Sequence, residues 1–443
     1  MRLQLASAAR DPFGPRKSGV EKDEAMSEKL RITDLHDPVL TDAQQGYLTF
    51  AEQNSWELTV EAVLGAASAA TGLDDFGPDD FKERLAVWLD EVDSDDNRSA
   101  YTRMLVFVLS VRYAGNRLRV QDLLTRHPEI HDIEITAPVV VTGLPRTGTT
   151  NLVNMLAADD RFRSMPLWET DEPVPVPGEG PGADGLDPRF KRCDEAWATF
   201  QATNPYLAAW HPMNPDHIDE DMSLMQLDFS SYYFESLMQM APKWRDYYLA
   251  HDQTPHYEYL RTMLKVLTWL RGPQRWVLKC PQHLENLGPL MSVFPDATVV
   301  VTHRDPVSVV QSFATMLAYT ARMGFTKVDV NAIFDYWTDL TERFLRSGIE
   351  DAHLVPEGQR VDVYFDRYMA DPMGTVAEVY RTAGIELTDE ARAQIQTYVD
   401  SHPRDKGGSM SYDIRTDFGV EPEALRERFR FYLDVYPVVP EVK

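Results

Sequence analysis

The feature that most constrains this chain is a local grammar that begins at Ala137 and repeats through its second half. A short β-branched run leads into a turn, and the turn opens an amphipathic helix. APVVVTGLPRTGTTNLVNMLAAD (137–159) sets the pattern. It returns in RWVLKCPQHLENLGPLMSVFP (275–295), ATVVVTHRDPVSVVQSFATML (297–317) and VDVYFDRYMADPMGTVAEVYRTAG (361–384). Strands this apolar have no face to spare for water, so they predict a parallel sheet covered by helices on both sides. In such sheets ligands bind beyond the carboxyl ends of the strands, which is where every chemically distinctive turn of this chain falls.

The fold class expected is α/β: a P-loop-like three-layer parallel sheet with an N-terminal helical region and a helical insertion. Residues 1–30 are polar and aperiodic and read as a disordered tail, with Met26 as an alternative start. Residues 31–135 form the N-terminal helical region. There WELTVEAVLGAASAATG, DDFKERLAVWLDEV and NRSAYTRMLVFVLSVRYA place apolar residues three and four apart. The α/β domain occupies 136–443, interrupted by an acceptor-side insertion over 171–270. That insertion opens with the irregular DEPVPVPGEGPGADGLDP and continues as helices rich in aromatics and methionine, such as LMQLDFSSYYFESLMQM. Such stripes are most simply core packing; the functional alternative is an apolar pocket or lid.

Charge narrows the function. With 44 basic and 70 acidic residues the net charge is −26, which argues against a nucleic-acid binder. A few local cations can still hold a small anion. No apolar run approaches the ~20 residues needed to span a bilayer. The first residues lack a signal-peptide core, so the cytoplasm is the default location. Cys193 and Cys280 are the only cysteines, too few for a disulfide framework or a cysteine-rich zinc site. No metal is expected.

The most informative segment is Gly143-Leu144-Pro145-Arg146-Thr147-Gly148-Thr149-Thr150. Its length and glycines are those of a nucleotide phosphate loop, but Thr149 stands where that motif demands lysine. Clustered backbone N–H groups and a helix N-terminus suit a phosphate, and Thr147, Thr149 and Thr150 can add hydroxyl donors. The segment is poorly built for a β,γ-phosphate with magnesium. A second candidate anchor is Arg304, at a strand end, with Ser312 eight residues on. A guanidinium offers a planar fork of donors for phosphate. Near the C-terminus, His402-Pro403-Arg404-Asp405-Lys406-Gly407-Gly408 is a basic, glycine-bearing loop that is either a ligand clamp or a solvated surface.

Together these motifs resemble the sulfotransferases that use 3′-phosphoadenosine 5′-phosphosulfate (PAPS). Pro145-Arg146-Thr147-Gly148-Thr149-Thr150 is similar to their 5′-phosphosulfate loop, in the form with arginine found in tyrosylprotein and several bacterial branches. Arg304 and Ser312 match their 3′-phosphate anchor, and Arg404 and Lys406 loosely match the late loop that closes over it. The resemblance implies PAPS as co-substrate, bound by Arg146, Thr147, Gly148, Thr149, Thr150, Arg304, Ser312, Arg404 and Lys406; Lys279, at a strand end, is placed to reach the sulfuryl oxygens as a second cation. It implies sulfuryl transfer to a hydroxyl or amine, with Arg146 stabilising the leaving group. Two residues compete as base. Glu169 lies where the arginine-bearing branches carry a catalytic glutamate, and is preferred. His283, in Lys279-Cys280-Pro281-Gln282-His283, resembles the Lys-Thr-His segment of cytosolic sulfotransferases with two residues added.

The acceptor is a small molecule, and the aromatic insertion suggests a lipid, phenol or sterol-like one. Two other readings stand beside this one. A P-loop kinase would want a lysine at 149 and acidic magnesium ligands. A non-catalytic nucleotide-binding protein would keep the site without turnover.

Overall fold

The computed structural model describes residues 29–211, 213–402 and 410–443. Most of the expected tail therefore lies outside the described residues, as do Arg404 and Lys406. Five parallel strands form one sheet: β1 (Val139–Gly143), β2 (Phe162–Arg163), β3 (Arg275–Lys279), β4 (Thr298–His303) and β5 (Arg360–Tyr364), in the order β2-β3-β1-β4-β5. Four of these are the strands the repeated grammar predicts. The fifth, β2, is two residues long and pairs with β3 through Phe162–Arg275 and Arg163–Trp276. It is too short to leave a periodic signal.

All five residues of β1 and all six of β4 are buried, because helices cover both faces. Val140, Leu278, Val299 and Val301 look into one apolar core, and Val139, Val141, Val277, Val300 and Val361 into the other. Each buried valine contributes roughly 1.5–3 kcal/mol over an exposed one. The chain leaves β1 toward β2 on one side of the sheet and leaves β4 toward β5 on the other. The crevice between the carboxyl ends of β1 and β4 is thus the switch point where an open parallel sheet binds ligands.

Helices form where the periodicity predicts them, as α2 (Val60–Thr71), α3 (Phe81–Asp93) and α4 (Ala100–Arg126), and α1 (Asp42–Glu52) precedes them. Thr41, Thr59 and Ser99 cap α1, α2 and α4 by accepting a backbone N–H. These helices share a core with the insertion. Trp88 stacks on Phe234 at 4.3 Å between centroids, and Phe229, Met238 and Trp244 pack with Leu85, Val106 and Tyr113. Asp228 of the insertion accepts hydrogen bonds from Arg84 (2.8 Å) and Arg117 (2.9 Å) and pairs with His256 (2.6 Å). The far end of the helix Pro306–Gly324 is tied to the start of α4: Ser99 Oγ donates to the Met323 carbonyl (2.5 Å) and Thr102 Oγ1 to that of Gly324 (2.7 Å). One strapped wall of helices therefore stands over the sheet's carboxyl edge.

Candidate active site

The phosphate loop leaves β1 at Gly143, whose φ of 140° and close approach to Thr302 leave no room for a side chain. Arg146 follows in the left-handed region at φ 67°, and Gly148 at φ 90° turns the chain into α5 (Thr149–Ala157). The loop backbone thus wraps toward a helix N-terminus, the geometry that cradles an anion. Thr147 does not offer its hydroxyl outward. It donates to the Leu144 carbonyl (2.6 Å) and meets Thr302 Oγ1 (2.6 Å), so it holds the loop's shape.

A lysine does reach this loop, from the neighbouring strand rather than from position 149. Lys279, at the end of β3, is fully buried; its Nζ lies 3.4 Å from Thr150 Oγ1 and forms an ion pair with Glu220. Arg146 donates from Nη1 to the Trp210 carbonyl (2.7 Å), while its buried Nε has no partner among the described residues. Burial lowers the pKa of this guanidinium; the Tyr412 hydroxyl opposes the shift, and the charge of Arg304 adds to it. An arginine so placed gains from an arriving anion.

Arg304 follows β4 and donates from Nη1 to the Arg146 carbonyl (2.5 Å), joining the two predicted anchors. Its guanidinium lies over the Phe365 ring, 3.9 Å from the centroid. Its remaining nitrogens form a two-pronged ion pair with Glu441, 2.6 Å on each prong. Ser312 Oγ donates to the Tyr412 hydroxyl (2.9 Å).

Neither expected base faces the open site. Glu169 is 1% exposed and accepts from Arg163 (2.8 Å) and Arg271 (3.2 Å). His283 is wholly buried between Asp221 (2.9 Å, Nε2) and the Tyr257 hydroxyl (2.8 Å, Nδ1). Both belong to the packing behind the site. Glu169→Gln should therefore lower stability by about 3 kcal/mol, because it leaves two arginines without their carboxylate, while nucleotide affinity stays unchanged. Urea denaturation and calorimetry on one preparation check both halves.

The residues that sequence reading passed over lie in Asp219-Glu220-Asp221. Each acid has its own partner: Asp219 accepts from Thr170 (2.5 Å), Glu220 pairs with Lys279, and Asp221 holds His283. Burial pushes the Asp219 carboxyl up to about 6, against the hydrogen bonds from Thr170 and Ser223. Glu220 keeps its second oxygen, Oε2, buried and without a partner among the described residues. Three successive acids amid apolar residues were the available signal. Nearby, burial and the Lys279 charge drive His217 down to about 3, and burial, His217, Lys279 and Arg146 hold His211 well below its ordinary value. Both shifts favour the neutral imidazole.

Arg146, Gly148, Thr149, Thr150, Glu220 and Arg304 all line one cavity of about 740 Å³. Away from the phosphate loop its wall turns apolar, with Leu105 of α4, Leu237 of the insertion, and Met316 and Met323 of the helix after Arg304. The aromatic and methionine-rich insertion is thus both core and lining: Phe234 and Trp244 are buried in packing, while Met222, Tyr233 and Leu237 face the cavity.

The profile of the Sulfotransferase family matches residues 138–389, more than half of the chain and all five strands. The chain belongs to the sulfotransferase family. Among solved structures it is similar to the sulfotransferase STF1 of Mycobacterium tuberculosis, at 30% identity over 84% of this chain and 98% of that one, with a TM-score of 0.73. It is also similar to the sulfotransferase STF9 of Mycobacterium avium, at 25% identity over 87% and 99% of the two chains, with a TM-score of 0.77. A curated relative, the omega-hydroxy-beta-dihydromenaquinone-9 sulfotransferase Stf3 of Mycobacterium bovis, is 22% identical over 285 residues, 62% of this chain and 70% of that one. This sulfotransferase is accordingly a sulfuryl-transferring enzyme, and the kinase reading falls away. Among its described residues no helix is long and apolar enough to cross a membrane.

Proposed function

We propose that this sulfotransferase moves the sulfuryl group of PAPS onto a hydroxyl carried by an apolar acceptor. The observation that carries the reading is the line from Thr150 at the helix N-terminus, through Lys279, to Glu220 in the cavity wall. A cation at an anion-binding turn meets a carboxylate of the cavity wall whose second oxygen has no partner among the described residues.

In this reading the backbone of the phosphate loop, with Thr149, Thr150, Arg146 and Lys279, holds the 5′-phosphosulfate, and Arg304 and Ser312 hold the 3′-phosphate. The acceptor oxygen bonds to sulfur as the bond from sulfur to the bridging phosphate oxygen breaks. Arg146 and Lys279 take up the negative charge gathering on that oxygen. The acceptor's proton passes to Glu220 Oε2, which replaces Glu169 and His283 in the role of base. The family alone does not fix the donor; the two anchors joined through Arg304 and the Arg146 carbonyl support PAPS.

The apolar wall supports a lipid-like acceptor, in keeping with the hydroxylated menaquinone in the name of the Stf3 relative. Residues 31–135 and the insertion 171–270 would form the acceptor-side cover, and 136–443 the catalytic domain. Cys193 and Cys280 stand as buried free thiols, which supports a reducing, cytoplasmic setting.

Calorimetric titration tests the donor assignment. Adenosine 3′,5′-bisphosphate should bind in clear preference to AMP and to ATP with magnesium, after which labelled PAPS can report transfer to hydroxylated isoprenoid quinones. Binding of ATP with magnesium and no response to the bisphosphate would end the proposal.

A further inference from the structure

The two side chains that the donor reading assigns to the 3′-phosphate are both already engaged, and by the same part of the chain. Glu441 closes a two-pronged ion pair on Arg304, with both oxygens 2.6 Å from guanidinium nitrogens. Tyr412 receives the Ser312 hydroxyl at 2.9 Å. Both partners come from the described segment 410–443. The backbone around Glu441 is seated rather than loose: its N–H donates to Asp305 Oδ2 (2.7 Å), next to Arg304 in sequence, and Asp305 is also the N-cap of the following helix. The Glu441 side chain remains 31% exposed and that of Arg304 17%, so the pair can open without disturbing the core.

A carboxylate and a phosphate make the same demand on a guanidinium: two parallel N–H donors to two oxygens in one plane. Arg304 also has its third nitrogen committed to the Arg146 carbonyl and its face committed to Phe365. It therefore cannot turn away to serve a phosphate elsewhere. One anion at a time can sit on its open edge.

We propose that Glu441 is a built-in competitor for the donor's 3′-phosphate, which occupies the Arg304 fork when no nucleotide is bound and returns to it as the product bisphosphate leaves. The inference rests on the donor reading above. The fork is kept charged, paired and oriented in the empty enzyme, so that it is ready for phosphate. The penalty is weaker donor binding, by the fraction of molecules in which the fork is free. A tethered carboxylate acts at an effective concentration in the ~mM range, enough to recapture the arginine and speed release of a tightly held product. AMP, which has no 3′-phosphate, does not contend with Glu441 for the fork.

The experiment is calorimetry with adenosine 3′,5′-bisphosphate and AMP on the full chain, comparing wild type with E441Q and E441A. Both variants should bind the bisphosphate about tenfold more tightly, as expected if the fork is closed about ten times as often as open. AMP affinity should move less than about twofold by the same argument. Stopped-flow displacement should show slower bisphosphate release from both variants. If Glu441 only pins the chain in place, the variants lose thermal stability and bisphosphate affinity stays level or falls; that result overturns the proposal. Failure of the donor reading looks different. Wild type would then show no preference for the bisphosphate over AMP, and R304A would change nothing, which removes both readings together. A wild-type preference that R304A abolishes and E441Q leaves untouched overturns the competitor alone.

Discussion

Gly143→Ala is expected to destabilise the protein by more than about 4 kcal/mol, at the extreme of what single substitutions do. Two independent faults add up at this position. The backbone sits at φ 140°, which a residue with a Cβ rarely adopts. The new methyl carbon would also lie 2.7 Å from the Thr302 carbonyl oxygen and in collision with the Thr302 side chain. Thr302 cannot step aside cheaply. It is the register partner of Gly143 across β1 and β4, and its hydroxyl links the Thr142 carbonyl (3.1 Å) to Thr147. Relief in any direction therefore unpicks either the central strand pair or the phosphate loop. Urea denaturation followed by circular dichroism measures this, and a midpoint near wild type would show that the strand end tolerates a side chain.

Arg146→Met should reduce turnover by about a thousandfold, the scale on which a single positioned arginine acts at a transferring group. Methionine preserves much of the stem and places no new strain on a position already at φ 67° in the native chain. The loss is therefore electrostatic. In the proposed reading donor affinity should fall far less, by about tenfold, because Lys279, the loop backbone and Arg304 would continue to hold the nucleotide and the charge on the bridging oxygen matures only in the transition state. Single-turnover transfer from labelled PAPS, set beside bisphosphate titration, separates the two. Equal losses in binding and in rate would make Arg146 a ground-state ligand and leave Lys279 as the principal stabilising charge.

What the sequence discloses here divides according to how far apart the partners lie. The four longer strands, the helices that follow them and the phosphate loop are legible because each is written in contiguous residues. The same holds for α2, α3 and α4. β2 escapes because two residues carry no period. Glu169 and His283 are the instructive cases. Each has a residue type suited to base catalysis and a position that resembles a family site, and each is held by partners remote in the chain: Arg271 for Glu169, Asp221 and Tyr257 for His283. Glu220 escapes for the converse reason. Nothing in its neighbourhood announces that Lys279, 59 residues on, would meet it at the cavity wall. Pairing between distant charges is settled by the fold, and only chemistry confined to one loop can be read before the fold is known.

The cavity's two walls come from different stretches of the chain, and that has a bearing on evolvability. Its polar side is the carboxyl edge of the sheet, where Gly143 has no freedom, Arg304 is tied to the Arg146 carbonyl, and Lys279 is tied to Glu220 and Thr150. Its apolar side is drawn from α4, the insertion and the far end of the helix Pro306–Gly324, through side chains such as Leu105, Leu237 and Met323. In the proposed reading, the apolar acceptor wall can change by point substitutions, insertions or exchanged helices without altering the residues of the donor edge. A designer can do the same: a library confined to those apolar positions would search for new acceptors without disturbing how the sulfuryl group is held.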